Sequence, residues 1–145
     1  MSGSSKHQLR VLVVDDNLAE LRLITEAFKA NHPPAEVLTA TNGIGALREL
    51  QRADCSRPDL VLLDINMPGL SGHEVLEHIK SDSKLRTIIV LMFSSSAAEA
   101  DITRAYSSHA NGYLSKPADL DEYFALARHV TEFWTRIAVL PRRAL

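Results

Sequence analysis

The chain has 145 residues, of which 46% are hydrophobic and 23% charged, and its formal net charge is −2. This length fits one globular domain, and the near-neutral charge excludes a global positive field for nucleic acid or an anionic membrane. The single cysteine, Cys55, excludes an intramolecular disulfide, and no apolar run approaches the ~20 residues of a membrane helix. Residues 1–8 are polar and lack a signal-peptide core, so we expect a flexible lead on a cytoplasmic protein.

Five short apolar runs predict strands. The first, third and fourth are nearly continuous in valine, leucine and isoleucine, which is typical of strands covered on both faces. The second and fifth are more mixed, as edge strands are. The runs comprise residues 9–14, 35–40, 59–63, 87–92 and 111–114.

Helical spacing of apolar residues follows each run. The predicted helices cover residues 18–28, a segment after Gly43, a segment around 75–79, residues 97–106, and a last segment from about 119 into the 130s. Strands that alternate with helices of this size predict an α/β fold, in which helices cover both faces of a parallel sheet.

Polar residues stand where the predicted strands end. Asp15 and Asp16 follow the first strand, Asp64 the third, Ser94 the fourth and Lys116 the fifth. In a parallel sheet these positions share one edge, where open α/β sheets bind ligands. Two carboxylates ~4 Å apart repel by about 4 kcal/mol at an effective dielectric near 20, so three of them need a raised pKa or a cation. Oxygen ligands in an incomplete cage suit Mg²⁺.

Each of these residues also has a simpler interpretation. The segment around Asn17 is suited to capping the first helix, and Ser94 or a neighbouring serine to capping the fourth. Lys116-Pro117 is a common turn sequence, and its peptide-bond isomer stays open. Capping alone does not explain two acidic strand ends and a lysine at a third, and we therefore favour the acidic site.

The motifs at these strand ends resemble those of the receiver domain of bacterial two-component response regulators. The resemblance spans residues 9–133 and rests on four segments, VLVVDDN, LLDINMPGLSG, VLMFSSS and NGYLSKP. It implies a flavodoxin-like, doubly wound sheet of five parallel strands in the order 2-1-3-4-5. It also implies a single-domain regulator that signals to another protein and is not an enzyme with a turnover substrate.

The resemblance assigns roles to the polar residues. Asp64 is the implied phosphoacceptor, and it binds Mg²⁺ together with Asp16 and the backbone carbonyl of Asn66. Asp15 assists the metal through water, and Lys116 contacts the aspartyl phosphate.

Two further pairs follow from the same resemblance. Ser94 and Tyr113 are the implied switch pair, which moves when the acceptor is phosphorylated. Asn66 and Ser96 occupy variable positions that look onto the active site and influence dephosphorylation.

The C-terminal part of the chain is unusually apolar, with 13 of the 21 residues from Leu120 to Leu140 apolar. Three adjacent heptad stripes are wider than the face that docks one helix on a sheet, which indicates a homodimer surface with Trp134 near its centre. Residues 134–145 form the predicted helix extension and tail. The predicted dimer residues are Tyr123, Leu126, Val130, Phe133, Trp134 and Ile137.

The partners are less specified. The resemblance implies a histidine kinase as phosphoryl donor, and EFWTRIAVLP also resembles the extension of small regulators paired with bacterial phytochromes. Arg142-Arg143 is too small a basic cluster for a nucleic-acid site. The downstream protein, the phosphoryl lifetime and the phosphorylation dependence of the dimer stay open.

Three alternatives remain beside this interpretation. The first alternative is a phosphate relay or sink without its own target. The second is a phosphohydrolase of the haloacid dehalogenase type, which needs an acid at the position of Asn66. The third is a pseudo-receiver that is not phosphorylated, which conflicts with the presence of the whole set Asp15, Asp16, Asp64, Ser94 and Lys116. The six histidines lack metal-ligand spacing, and we expect them at the surface.

Overall fold

Successive residues of the central strands face opposite sides of one sheet. The computed structural model describes residues 8–52 and 57–141. Cys55, the first seven residues and Arg142-Arg143 lie outside this range. The strands and helices are β1 (Arg10–Val14), α1 (Leu18–Lys29), β2 (Glu36–Ala40), α2 (Gly43–Leu50), β3 (Leu60–Leu63), α3 (Gly72–Ser81), β4 (Ile89–Ser94), α4 (Glu99–Ser107), β5 (Gly112–Ser115) and α5 (Leu120–Glu132), followed by a π-helical turn (Phe133–Ile137).

The sheet is parallel throughout, with the strand order β2-β1-β3-β4-β5. The predicted fold, strand order and edge strands are therefore confirmed. The fourth strand lies two residues later than predicted, because the chain still turns at Ile88, whose N–H donates to the carbonyl of Leu85.

Two apolar clusters fill the space on either side of the sheet. Val11 and Leu62 belong to the cluster under α1 and α5, while Leu12 and Leu63 belong to the cluster under α2, α3 and α4. This alternation follows from the period of two along a strand. Both faces of β1 and β3 are buried, which explains why these strands are continuous runs of apolar residues.

Side-chain caps fix where several helices begin. Asn17 accepts hydrogen bonds from the N–H groups of Ala19 and Glu20, as the capping interpretation predicted. Ser71 and Glu74 form a reciprocal capping box at the start of α3. Each cap ends the loop at the carboxyl end of a strand, so the caps also position the predicted site. None of the described helices is long and apolar enough to cross a bilayer.

The C-terminal segment differs from the predicted continuous helix. The α-helix ends at Glu132, and the π-helical turn that follows rotates later side chains away from their heptad stripes. Tyr123 and Val130 are buried against the chain's own sheet, with the Tyr123 ring 6.2 Å from that of Phe93. The dimer prediction is therefore wrong for Tyr123, which belongs to the core, whereas Val130 also lines a surface groove beside Leu126.

Candidate functional site

Three carboxylates converge at the carboxyl end of the sheet. Asp15, Asp16 and Asp64 each offer an oxygen atom within 4.8 Å of the other two. The pairing of β1 with β3 brings these residues together. The N–H of Asp64 donates to the carbonyl of Val14 at 3.0 Å, which continues that pairing by one residue. Asp15 and Asp64 are buried, whereas Asp16 is exposed.

Lys116 reaches the same place from β5. Its backbone N–H donates to the carbonyl of Ser94 at 3.0 Å, which fixes the start of the side chain. The Nζ atom lies 3.2 Å from Oδ2 of Asp15 and 3.6 Å from Oδ1 of Asp64. The ammonium also lies 5.8 Å from the centre of the Phe93 ring, so an apolar wall covers one side of it.

A fourth carboxylate, which the sequence analysis missed, belongs to this cluster. Oε1 of Glu20 lies 2.8 Å from Nζ of Lys116, the shortest of the three contacts that the ammonium makes with carboxylates. Glu20 stands three residues after the cap Asn17, at a position whose side chain reaches back over the helix N-terminus. This spacing of three residues between Asn17 and Glu20 is the sequence feature that could have placed Glu20 near the site.

Burial and charge together shift the pKa values of the cluster. Burial raises the pKa of Asp64 to about 6; the charge of Lys116 opposes this shift, and that of Asp15 adds to it. Burial likewise raises the pKa of Asp15. Burial disfavours the charged Lys116, but its hydrogen bond to Glu20 and the charges of Asp64 and Asp15 outweigh this, so its pKa is raised. The carboxylates are thus under-neutralised, and their oxygens fit a hard divalent cation.

Gly72 allows the loop that begins at Asp64 to pack closely against α3. A Cβ atom at this position would lie 2.1 Å from the backbone oxygen of Asp64 and 2.7 Å from Cα of Ile65. Glycine at this position therefore lets α3 pack against the loop without displacing Asp64.

Asn66 lies two residues after Asp64 and is exposed. Its backbone N–H donates a hydrogen bond to the Asp64 carboxylate, which lowers the pKa of Asp64.

The predicted switch pair meets at Ser96. Ser94 is fully buried, and its Oγ accepts a hydrogen bond from the N–H of Ser96 at 3.0 Å. The Tyr113 hydroxyl donates to the carbonyl of Ser96, also at 3.0 Å. Both predicted switch residues are thus bonded to the backbone of the same residue, Ser96, in the β4–α4 loop.

The Ser96 side chain is bonded to the start of α4. Its Oγ donates to Oδ2 of Asp101 at 2.8 Å and accepts from the N–H of Ala98, so it fastens the start of α4. The carboxylate of Asp101 offers the hydroxyl a charged acceptor. The expectation that Ser96 looks onto the active site stays a prediction.

His73 extends the same network into α3. It is buried, with Nε2 lying 3.3 Å from Oδ1 of Asp101, and Nδ1 has no hydrogen-bond partner among the described residues. The expectation that the histidines lie at the surface is wrong for His73. A hydrogen-bonded chain thus runs from α3 through Asp101 to Ser96.

The Lys116-Pro117 peptide bond, left open above, is trans. Among the described residues, the cis peptide bond is His32-Pro33, at the start of the connection to β2. Lys116 reaches the carboxylates with its following proline bond in the trans form.

The chain belongs to a known family, the response regulator receiver domain, whose model matches residues 11–128. It is a response regulator receiver. Receivers of this family are phosphorylated by histidine kinases and bind a divalent metal at their acidic pocket.

Relatives of similar length extend this assignment. The chain is 33% identical to the response regulator Rcp1 of Synechocystis sp. over 97% of its own length and 99% of Rcp1. It is 41% identical to the phosphorylated cyanobacterial phytochrome response regulator RcpA, with a TM-score of 0.87 and coverage of 94% of this chain and 100% of RcpA. The Mn²⁺-bound form of Rcp1 is similar with a TM-score of 0.82 and coverage of 92% and 99%.

Proposed function

We propose that the chain accepts a phosphoryl group on Asp64 from a histidine kinase and passes the signal to a protein partner by a conformational change. The observation that carries this proposal is the convergence of Asp15, Asp16 and Asp64 with Lys116 in one half-buried cup. These groups combine a nucleophile, neighbouring carboxylates that hold a cation and an ammonium for the transferred charge.

The chain's own residues position the reacting atoms. A carboxylate oxygen of Asp64 forms a bond to phosphorus, and the bond from phosphorus to the donor atom breaks. The donor leaves with that electron pair, as imidazole nitrogen from a phosphohistidine or as acetate from acetyl phosphate. Asp64 reacts in its ionised form, and Lys116 stays protonated because its pKa is raised.

Asp16, Asp64 and the carbonyl of Asn66 would hold the metal, with Asp15 acting through water. We assign Mg²⁺ to this place, where it would neutralise charge on the transferred phosphoryl oxygens. The fit rests on the three oxygens within 4.8 Å and on the burial that raises the pKa values of Asp15 and Asp64.

The switch follows from the bonds to Ser96. The Ser94 oxygen accepts the N–H of Ser96 through a lone pair, and its O–H proton remains available for a phosphoryl oxygen. If Ser94 moves toward that oxygen and draws the Ser96 backbone with it, the bond from the Tyr113 hydroxyl to the Ser96 carbonyl would break, and the ring would be free to turn toward the vacated space. A local change of charge thereby resets the β4–α4 loop.

Acetyl phosphate labelling tests the acceptor. Asp64→Asn removes the nucleophilic oxygen and abolishes the mass increase that acetyl phosphate with MgCl₂ produces in the wild-type chain, as read by intact-mass spectrometry. Asp121→Asn, which changes an exposed carboxylate on α5, is the matched control and keeps full labelling. Normal labelling of Asp64→Asn would refute the assignment.

The relatives support a light-regulated donor. RcpA is a phytochrome response regulator, and we propose a phytochrome-linked histidine kinase as the donor for this chain. A cytoplasmic location suits this partner and the single cysteine. Measuring phosphotransfer from such kinases to this chain in darkness and in red light tests whether they are the donor. Onward transfer of the phosphoryl group to a further phosphoacceptor protein would favour the alternative role as a relay.

We also propose a homodimer. Phe133 and Ile137 are exposed apolar residues on the π-helical turn, with 45% and 71% of their surface accessible. Leu126 lines an adjoining apolar groove with Leu114 and Pro117. A second copy of the chain, which carries the same surface, would cover these groups symmetrically.

A further inference from the structure

The pairing of Glu20 with Lys116 is not needed to form an acidic pocket, yet it is the shortest ion pair there. Nζ lies 2.8 Å from Glu20, 3.2 Å from Asp15 and 3.6 Å from Asp64. Only 9% of the Lys116 side chain is accessible, so the ammonium depends on protein acceptors. The contact joins α1 to the end of β5 across 96 residues of sequence.

The number of protons on the ammonium limits what it can contact. An ammonium has three N–H donors. Glu20 and Asp15 accept at hydrogen-bond distance, which leaves one donor for Asp64 or for an anion bound to it. The 3.6 Å separation from Asp64 is an ion-pair distance that leaves this third donor without a short bond.

We propose that Glu20 is a positioning residue, which with Asp15 holds the Lys116 ammonium so that its remaining donor meets the phosphoryl group on Asp64. The inference rests on the proposed function. A lysine side chain has four flexible methylene groups, and one anchor leaves it free to pivot. Two anchors on different elements, α1 and the end of β1, restrict the ammonium to one place before the donor arrives.

The role of Glu20 is geometric and involves no proton transfer. In the reaction with acetyl phosphate, an Asp64 oxygen bonds to phosphorus, and the bridging P–O bond breaks with its electron pair leaving on acetate. Lys116 donates a hydrogen bond to a phosphoryl oxygen and keeps its protons. Glutamine at position 20 would still offer a carbonyl oxygen to Nζ, whereas alanine would offer none.

Glu20→Ala and Glu20→Gln separate this role from a simple effect of charge. With MgCl₂ at saturation, we expect Glu20→Ala to be phosphorylated by acetyl phosphate about tenfold more slowly, since a small misplacement of a charge-stabilising group is costly. Beryllofluoride, a phosphoryl analogue, should bind it about tenfold more weakly. Glu20→Gln should stay within about twofold of the wild-type chain in both measurements.

Three controls accompany these variants. Glu26→Ala and Glu26→Gln, which change an exposed carboxylate on the same helix, should leave both measurements unchanged. The affinity for Mg²⁺ measured by calorimetry should change little in Glu20→Ala, because Lys116 lies between Glu20 and the acceptor. Urea unfolding midpoints identify any general loss of structure.

The outcomes separate the two proposals. Wild-type rates and beryllofluoride affinity in Glu20→Ala would overturn the positioning role. Faster phosphorylation of both Glu20 variants would also overturn it, since Glu20 would then act as a competitor for the ammonium. Labelling of Asp64→Asn would instead defeat the phosphoacceptor assignment, whatever the Glu20 variants do.

Discussion

At the scale of one residue, the raised pKa of Asp64 opposes folding at neutral pH. The unfolded chain ionises this group near its ordinary value of 3.8, and the folded chain ionises it near 6. Between these values the folded state binds more protons, so the free energy of unfolding falls as the pH rises through this window. Above pH 6 this loss of unfolding free energy is constant and amounts to ~3 kcal/mol.

Asp64→Asn removes this deficit. In the presence of EDTA at pH 7.5, we expect the variant to be more stable than the wild-type chain by ~3 kcal/mol. The difference should shrink as the pH falls from 6 toward 3.8. It should also shrink when MgCl₂ replaces EDTA, because the cation binds the folded wild-type carboxylates. Urea unfolding at several pH values measures this, and a variant less stable than wild type at pH 7.5 would contradict it.

At the scale of an element, α4 is fastened to its surroundings through Asp101. This carboxylate is bonded to Ser96 in the β4–α4 loop and to His73 on α3, and these bonds lower its pKa. The exposed surface of α4 is largely polar, and within the helix Ala105 is the buried residue. Polar contacts, more than apolar packing, therefore fix how the N-terminal end of α4 meets the β4–α4 loop, which carries the proposed switch.

Asp101→Ala should loosen this attachment. It leaves buried His73 without a partner on either ring nitrogen among the described residues, and such a loss costs about 1–3 kcal/mol in the free energy of unfolding. Asp121→Ala changes a carboxylate in the first turn of α5 and is the control. Urea denaturation compares the two, and equal effects would refute a special role for Asp101. Combining Asp101→Ala with His73→Leu should recover part of the loss.

The sequence predicted elements better than it predicted side-chain partners. Continuous apolar strands and capped helices are local patterns, and they suffice for the parallel sheet and for the meeting of Asp15, Asp16 and Asp64 at its edge. The strand order came from the resemblance of the motifs to those of receiver domains. The burial of His73 and the contact of Glu20 with Lys116 depend on the packing of distant segments. No period in the sequence encodes the orientation of Ser96, since it depends on a carboxylate five residues later.

At the scale of the whole molecule, the proposed dimer depends on the π-helical turn. Trp134 is half-buried and packs on the core beneath α1 and α5, with its ring 4.9 Å from that of Phe133. Truncating Trp134 would therefore disturb the chain itself as well as an interface. Phe133 and Ile137 are better probes because they are exposed.

Phe133→Glu with Ile137→Glu should convert the dimer to a monomer. Two charges in a symmetric apolar contact face their own copies, which adds repulsion to the loss of apolar burial. Light scattering should then read one chain mass in place of two. Ile44→Glu alters an exposed apolar residue on α2 and should leave the mass unchanged. A wild-type chain that is monomeric with and without beryllofluoride would refute the dimer.

The cup that holds Lys116 unites groups separated by 101 residues along the polypeptide. A chain still emerging from the ribosome has made Asp15 and Asp64 long before it has made the amine that completes their surroundings. We therefore expect nascent and unfolded copies not to accept phosphoryl groups, because the proposed acceptor site is complete only after Lys116, at the end of the last strand, has been made.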